Sequence, residues 1–480
     1  MLRRAATPLR GLAALSLLTA TVVGPLALAA QAADPPYGTA SNNTPAPCPA
    51  GTADCPTQDP FSSAPDNLAS LADGTVIRSR TATIQVASPT IGAAYTIVYR
   101  SEDSFGAPVV DSGTVLLAAA PYLGTGAKPL VSWQFPEDSV GAQCRPSYDL
   151  AHTGTNSNVD AEQGTIDSLL GQGITVVAPD FEGPAEAYEV GPQSGHAVLD
   201  GIRAAEAFAP AGLTASTPVE LNGYSGGSYA TGWGAELAHG YAPALNIVGA
   251  SMGGTPADQR VVGHYLDGTA FVGLALLTTI ALDRAYPALH VQDYLNDTGK
   301  QFNTDNQASC VGSAATAYAF QRFDAYTKAP GFVDSPAISA TLAHDSLGQS
   351  PPTFPVFNYH VYNDEIVPYV QDQVLVKTYC TAGTPVDHIV IPAADHISGE
   401  AIATPSVVSF VQARFNGVPF VSDCPVIMAT PLLPQVPSIT NPGSSSPAAN
   451  LPEAPAAALL GVVGLAAGAL VLRRRGAARR

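Results

Sequence analysis

Five residues, Gly223-Tyr224-Ser225-Gly226-Gly227, constrain this chain more than any other feature. They make a G-x-S-x-G pattern between a short apolar run, Val219–Asn222, and a helical segment, Tyr229–His239. A serine at such a strand-to-helix turn is held in a strained backbone conformation, and Gly223 and Gly227 let strand and helix approach closely. The five residues alone recur by chance. Placed between a strand and a helix, they make Ser225 a candidate nucleophile standing over the edge of a sheet.

The surrounding pattern supplies that sheet. Thr81–Val86, Tyr95–Arg100 and Gly113–Leu117 are β-branched or alternating runs separated by turn residues, which predicts an antiparallel start. Leu130–Gln134, Ile174–Ala178, Val219–Asn222, Ile247–Ala250, Val356–Val361 and His388–Ile391 are short apolar strands. They alternate with helical segments such as Val198–Phe208, Tyr229–His239 and Val407–Phe415. This alternation predicts an α/β class with a mostly parallel sheet and helices on both faces. About 100 residues of helical periodicity interrupt it between Gly254 and Pro352, and an insertion at about 256–350 reads as a helical cap. Its uncharged run Phe271–Leu282 reads equally as a buried cap helix or as a surface for an acyl chain.

The 480 residues suffice for one large α/β domain with insertions or for two ordinary domains, and both ends read as lying outside the fold. Arg3, Arg4 and Arg10 precede an apolar stretch closed by Ala30-Gln31-Ala32, so residues 1–32 read as a signal peptide. Residues 33–58 are an irregular lead-in, with structure expected from near Asp59, and a catalytic domain is expected over 59–428. A Pro-rich linker follows over 429–455. Ala456–Leu472 is uncharged and apolar, about 26 Å long as a helix, and Arg473, Arg474, Arg475, Arg479 and Arg480 come after it. We read 456–472 as a membrane anchor and 473–480 as a basic cytoplasmic tail, which leaves the rest facing outward.

Without the three arginines of the first segment and the five of the last, 13 basic residues face 39 acidic ones, a net charge near −26. Such a surface repels phosphate backbones, which excludes nucleic acid as a partner. The six cysteines, Cys48, Cys55, Cys144, Cys310, Cys380 and Cys424, lie between the two ends, and an even count in an exported chain favours disulfides. Spacing leaves 15 pairings open, with Cys48 and Cys55 close enough for a local loop.

A serine hydroxyl becomes nucleophilic when a histidine takes its proton and a carboxylate orients that histidine. With this elbow the partners follow the serine in the order acid, then histidine. Of the seven downstream histidines, His239 ends the helix after Ser225, His264, His290 and His344 fall in the cap, and His360 and His388 lie within apolar strands as structural residues. His396 sits in a loop after the last strand and before the last helix, and is the best base. Asp364 follows Val356–Val361 directly and is the preferred acid, with Glu365 and Asp395 as competitors. One oxyanion donor is the N–H of Gly226. The other comes from the loop after Leu130–Gln134, Phe135-Pro136-Glu137-Asp138-Ser139.

These blocks, together with Gly74-Thr75-Val76-Ile77-Arg78-Ser79-Arg80, Pro179-Asp180-Phe181-Glu182-Gly183-Pro184 and Gly253-Gly254-Thr255-Pro256-Ala257-Asp258, resemble the secretory lipases of the Candida antarctica lipase A type, from about Asp59 to Asp423. The resemblance implies an α/β-hydrolase fold with an inserted helical cap, no cofactor and no metal, and hydrolysis of triacylglycerols and other carboxylic esters. It implies Ser225, Asp364 and His396 as the triad, and the N–H groups of Asp138 and Gly226 as the oxyanion hole. It also implies the pairs Cys144–Cys310 and Cys380–Cys424, leaving Cys48–Cys55. The C-terminal spacer and anchor depart from the fungal pattern, and Leu451-Pro452-Glu453-Ala454-Pro455 looks like a sortase signal with its Thr-Gly replaced. Two rival functions fit the same chain: a serine acyltransferase, and a catalytically silent surface-binding protein. The intact set Ser225, Asp364 and His396 speaks against the second.

Overall fold

The computed structural model describes residues 35–85, 88–152 and 157–432. The expected signal peptide, anchor and basic tail, and the linker beyond residue 432, lie outside the described residues.

Nine strands form one sheet in the order β1-β2-β3-β5-β4-β6-β7-β8-β9: β1 Val76–Thr81, β2 Ile91–Glu102, β3 Pro108–Ala118, β4 Leu130–Gln134, β5 Thr175–Pro179, β6 Val219–Tyr224, β7 Ile247–Gly253, β8 Val356–Val361 and β9 Val386–Ile391. The first three pair antiparallel, β3 meets β5 antiparallel, and every pair from β5 across to β9 is parallel. The fold is therefore α/β with a mostly parallel sheet. The expected strand at Thr81–Val86 is displaced: β1 ends at Thr81, because Val76 to Thr81 are the residues that pair with Tyr99 to Tyr95 of β2.

Every residue of β4, β5, β6 and β8 is buried, as expected for parallel strands covered on both faces. Successive side chains alternate between two cores. Leu130, Val177 and Leu221 pack with Val198, Ile202 and Ala235 of the helices Gly191–Ala207 and Gly226–Tyr241. Val131, Val176 and Phe357 pack on the other side with Leu169, Val407 and Phe410 of the helices Ser157–Leu170 and His396–Phe415. Each core closes one face of the sheet.

Between β7 and β8 the chain leaves the sheet and forms the helices Gln259–Leu266, Val272–Ala285, Asp297–Asp305 and Pro336–His344. Their apolar faces share a separate cluster containing Leu276, Leu277, Ile280, Phe302 and Ile338. The uncharged run Phe271–Leu282 lies almost wholly inside this cluster, while Ala275, Thr278 and Leu282 line a cavity of about 30 Å³ beside Val262, Leu266 and Phe332. The segment before the sheet is irregular yet tied down, with the Asn42 N–H donating to the Arg284 carbonyl and the Ala46 N–H to that of Pro184. The cysteines stand as Cys48–Cys55, Cys144–Cys310 and Cys380–Cys424.

Candidate active site

The order of strands reverses at β4, with β5 on one side and β6 on the other. In open parallel sheets the crevice beyond the carboxyl ends at such a reversal is where ligands bind. The four candidate site segments all follow the carboxyl ends of strands on the β4-to-β9 side of the sheet: Asp138 after β4, Ser225 after β6, Asp364 after β8 and His396 after β9.

Ser225 has φ 53° and ψ −128° and opens the helix Gly226–Tyr241, a conformation costly for a residue with a side chain. Its N–H donates to the Gly253 carbonyl of β7 at 2.8 Å. A side chain at Gly227 would overlap the Gln134 carbonyl oxygen, and one at Gly223 the Gly227 carbonyl. The elbow thus has room for glycine alone at both positions.

His396 Nε2 lies 2.8 Å from Ser225 Oγ, and its Nδ1 lies 2.6 Å from Asp364 Oδ2. The other carboxylate oxygen of Asp364 accepts the N–H groups of Ile366 at 2.9 Å and Val367 at 2.7 Å. The competing acids are used elsewhere. Glu365 accepts the backbone N–H of His396 at 3.1 and 3.2 Å, and Asp395 caps the helix His396–Phe415 by accepting from Ser398 N at 2.7 Å. This corrects the loop expected around His396, which is instead the first residue of that helix, because Asp395 satisfies an N–H of its first turn. The phenol of Tyr224, the residue before the nucleophile, donates to the His396 carbonyl.

The loop after β4 touches the elbow. The carboxyl of Asp138, a residue with φ 47°, sits against the Cα of Gly226, so the segments carrying the two expected oxyanion donors adjoin. Cys144–Cys310 ties the same loop to the cap, beside hydrogen bonds from Val140 N to Ser309 O and from Val311 N to Ser139 Oγ. Glu137, Glu182 and Glu186 come within 4.8 Å of one another beneath this loop. Three carboxylates so placed could hold a cation, and here Arg145 brings positive charge to them by pairing with Glu186.

Burial by itself would make His396 less basic, but the Asp364 carboxylate and its hydrogen bond outweigh this and raise its pKa above the usual imidazole value. For Asp364 burial is likewise the largest influence and would raise it, yet the facing imidazole holds it below the ordinary carboxylate value. The arrangement can pass a proton from Ser225 to His396 when that imidazole is neutral, and protonation of His396 below its raised pKa would block that transfer.

Sequence reasoning missed the groups behind and beneath these residues. His360 was read as a strand histidine, yet its Nε2 stands 3.6 Å from Asp364 Oδ2. Its one sequence clue is that it precedes Asp364 by four residues. The buried acids left no clue. Burial, followed by repulsion from neighbouring carboxylates, raises Glu137 and Glu182 well above the usual range, and burial pushes Asp345 up to about 8. Groups raised in this way hold protons in the folded state at pH values where the unfolded chain has lost them, so stability falls as pH rises from about 4.3 through the folded values. His360, held at about 9, adds to the trend: its contribution is fully present below about 6.5 and lost as pH rises through 9. The melting temperature should therefore be higher at pH 5 than at pH 8.5. A melting temperature that climbs over this interval would count against these acids being protonated in the folded chain.

A model of the secretory lipase family matches residues 150–423. Lipase A of Moesziomyces aphidis is 32% identical over 404 residues, covering 81% of this chain and 85% of that protein. The X-ray structure of Candida antarctica lipase A superposes with a TM-score of 0.72 at 31% identity, over 81% of this chain and 90% of that one. A Mycobacterium tuberculosis protein named "probable inactive lipase" is 30% identical over 372 residues, 76% of this chain and 83% of its own length. Matched over more than half its length by the family model and over four fifths by a relative above 30% identity, the chain belongs to the secretory lipase family, with the α/β-hydrolase fold.

Proposed function

We propose that this protein is a serine hydrolase of triacylglycerols and related carboxylic esters, with Ser225 as nucleophile, His396 as base and then acid, and Asp364 as the carboxylate that orients and balances the imidazole. The single observation that carries the reading is the unbroken chain of contacts Ser225–His396–Asp364, at 2.8 and 2.6 Å. Family membership alone does not carry it, since one relative is named as inactive. His396 takes the Ser225 proton as Oγ attacks the ester carbonyl. The N–H groups of Asp138 and Gly226 receive the oxyanion. The proton then goes to the departing alcohol, and water repeats the sequence on the acyl-enzyme.

The cap encloses an apolar cluster whose cavity of about 30 Å³ holds little more than a water-sized occupant, and Tyr265 of its first helix donates to the Asp364 carbonyl. An acyl chain that packs against this apolar cluster gains about 0.8 kcal/mol per buried methylene. Octanoate and palmitate esters should accordingly be turned over faster than acetate and butyrate esters. A chain-length series of chromogenic esters checks this, and the reverse order would make the protein a short-chain esterase. Adding an alcohol to the same assay separates hydrolysis from acyl transfer, since a transferase would yield mainly the new ester.

From the apolar span 456–472 and its trailing arginines we further infer attachment at the outer cell surface. External protease should strip the activity from intact cells. Activity protected until the cells are lysed would reverse this topology.

A further inference from the structure

Behind Asp364 runs a second chain of imidazoles and carboxylates that the proposed Ser225–His396–Asp364 chemistry leaves unused. His360, in β8, is fully buried. Its Nε2 lies 2.9 Å from the Val367 carbonyl oxygen and 3.6 Å from Asp364 Oδ2, and its Nδ1 faces Asp372 Oδ1 at 3.6 Å. Asp372 stands in the first turn of the helix Tyr369–Ala382, and its Oδ2 meets His388 Nε2 of β9 at 3.1 Å. A neutral imidazole presents one nitrogen as an acceptor, but the groups facing both ring nitrogens of His360 are themselves acceptors. Nε2 therefore donates to Val367, while Nδ1 makes no hydrogen bond but faces a carboxylate, a placement in which a second proton on the ring would be held by negative charge on both sides.

The charged and titratable groups around it come from four elements. Asp364 lies on the turn after β8, Tyr369 and Asp372 on the following helix, with the Tyr369 ring 5.7 Å away, His388 on β9 beyond Asp372, and His396 on the far side of Asp364. Glu365 is oriented to the backbone of His396.

We propose that His360 is a positioning residue for the triad: its fixed positive charge offsets part of the negative charge of Asp364 and so leaves His396 free to accept the Ser225 proton near neutral pH. The proposal rests on the reading of Ser225, His396 and Asp364 as a triad. Burial works against the charge on His360, but Asp372 and then Asp364 hold the ring protonated up to about pH 9, and the same charge acts to lower the affinity of His396 for its proton. Asp372 in turn is kept ionised far into the acid range by His360 and His388, against the effect of its burial. The arrangement thus tunes the base from behind its partner, without touching the substrate.

Two measurements test it. In the full chain labelled with ¹⁵N-histidine, the ring with dipolar contacts to both Tyr369 and Val367, which separates His360 from His388, should keep protons on both nitrogens through pH 8. A neutral tautomer there at pH 7 would overturn the proposal, and this experiment needs no substitution to fold. In pH profiles of kcat/KM, His360→Gln should move the acid limb upward by roughly one pH unit, the rate lost below neutrality being recovered as pH rises. Asp372→Asn should move it in the same direction, because His360 then loses its counter-charge. The double substitution should shift the limb no further than either single one. A uniform loss of rate with the limb unmoved would assign His360 a purely structural role and sink the idea. Failure of the underlying triad would look different, as activity surviving Ser225→Ala, and would leave the NMR result untouched.

Discussion

Ser225→Ala and His396→Ala are each expected to lower kcat by about 10⁶-fold, with KM little changed and the double substitution no slower than either single one. In the proposed mechanism the two residues act as a unit: without the imidazole the hydroxyl keeps its proton, and without the hydroxyl the imidazole has nothing to activate. Residual turnover would come from the N–H groups of Asp138 and Gly226 acting on bound ester. His388→Ala is the control. Its ring touches Asp372 rather than Ser225, so it should lower stability while the folded protein keeps turning over. Rates measured on folded variants decide the matter, and a dead His388→Ala beside an active His396→Ala would assign the base wrongly here.

Removing the Cys144–Cys310 bridge by paired alanine substitution is expected to cost about 2 to 5 kcal/mol of stability. The bridge closes a loop of 166 residues, so its loss frees far more of the unfolded chain than loss of Cys48–Cys55, which spans 7. It also releases the loop after β4 from the cap, since Val140 and Val311 bond across the same junction. Denaturant unfolding of the two paired variants provides the comparison. An equal or larger loss at Cys48–Cys55 would show that loop closure is not what this bridge contributes.

Much of the architecture was legible in the chain. Leu130–Gln134 and Val356–Val361 emerge with the expected boundaries, because a run of apolar residues bounded by turns has few ways to be buried other than as a central parallel strand. β1 was not legible. Its residues are half-buried or exposed, so hydrophobic pattern marks them weakly, and pairing with β2 set their limits. The loop expected around His396 failed for a related reason. Asp395 reads in sequence as a possible triad acid, and geometry made it a helix cap.

The sequence by itself determined the strand-to-helix elbow at Ser225, since only glycine meets the close approaches at Gly223 and Gly227. It also determined the alternation of strands and helices and the insertion before β8, because periodicity and backbone sterics are local properties that a linear string carries. The sequence already favoured Asp364 over Glu365 and Asp395, but the tertiary structure alone decided what those two competitors do instead, and that His360 and Asp372 stand behind Asp364. It alone gathered Glu137, Glu182 and Glu186 into one buried group. Electrostatic partnership depends on distances of a few ångströms and on exclusion of water. Residues far apart along the chain acquire both only when the sheet brings its strand ends together.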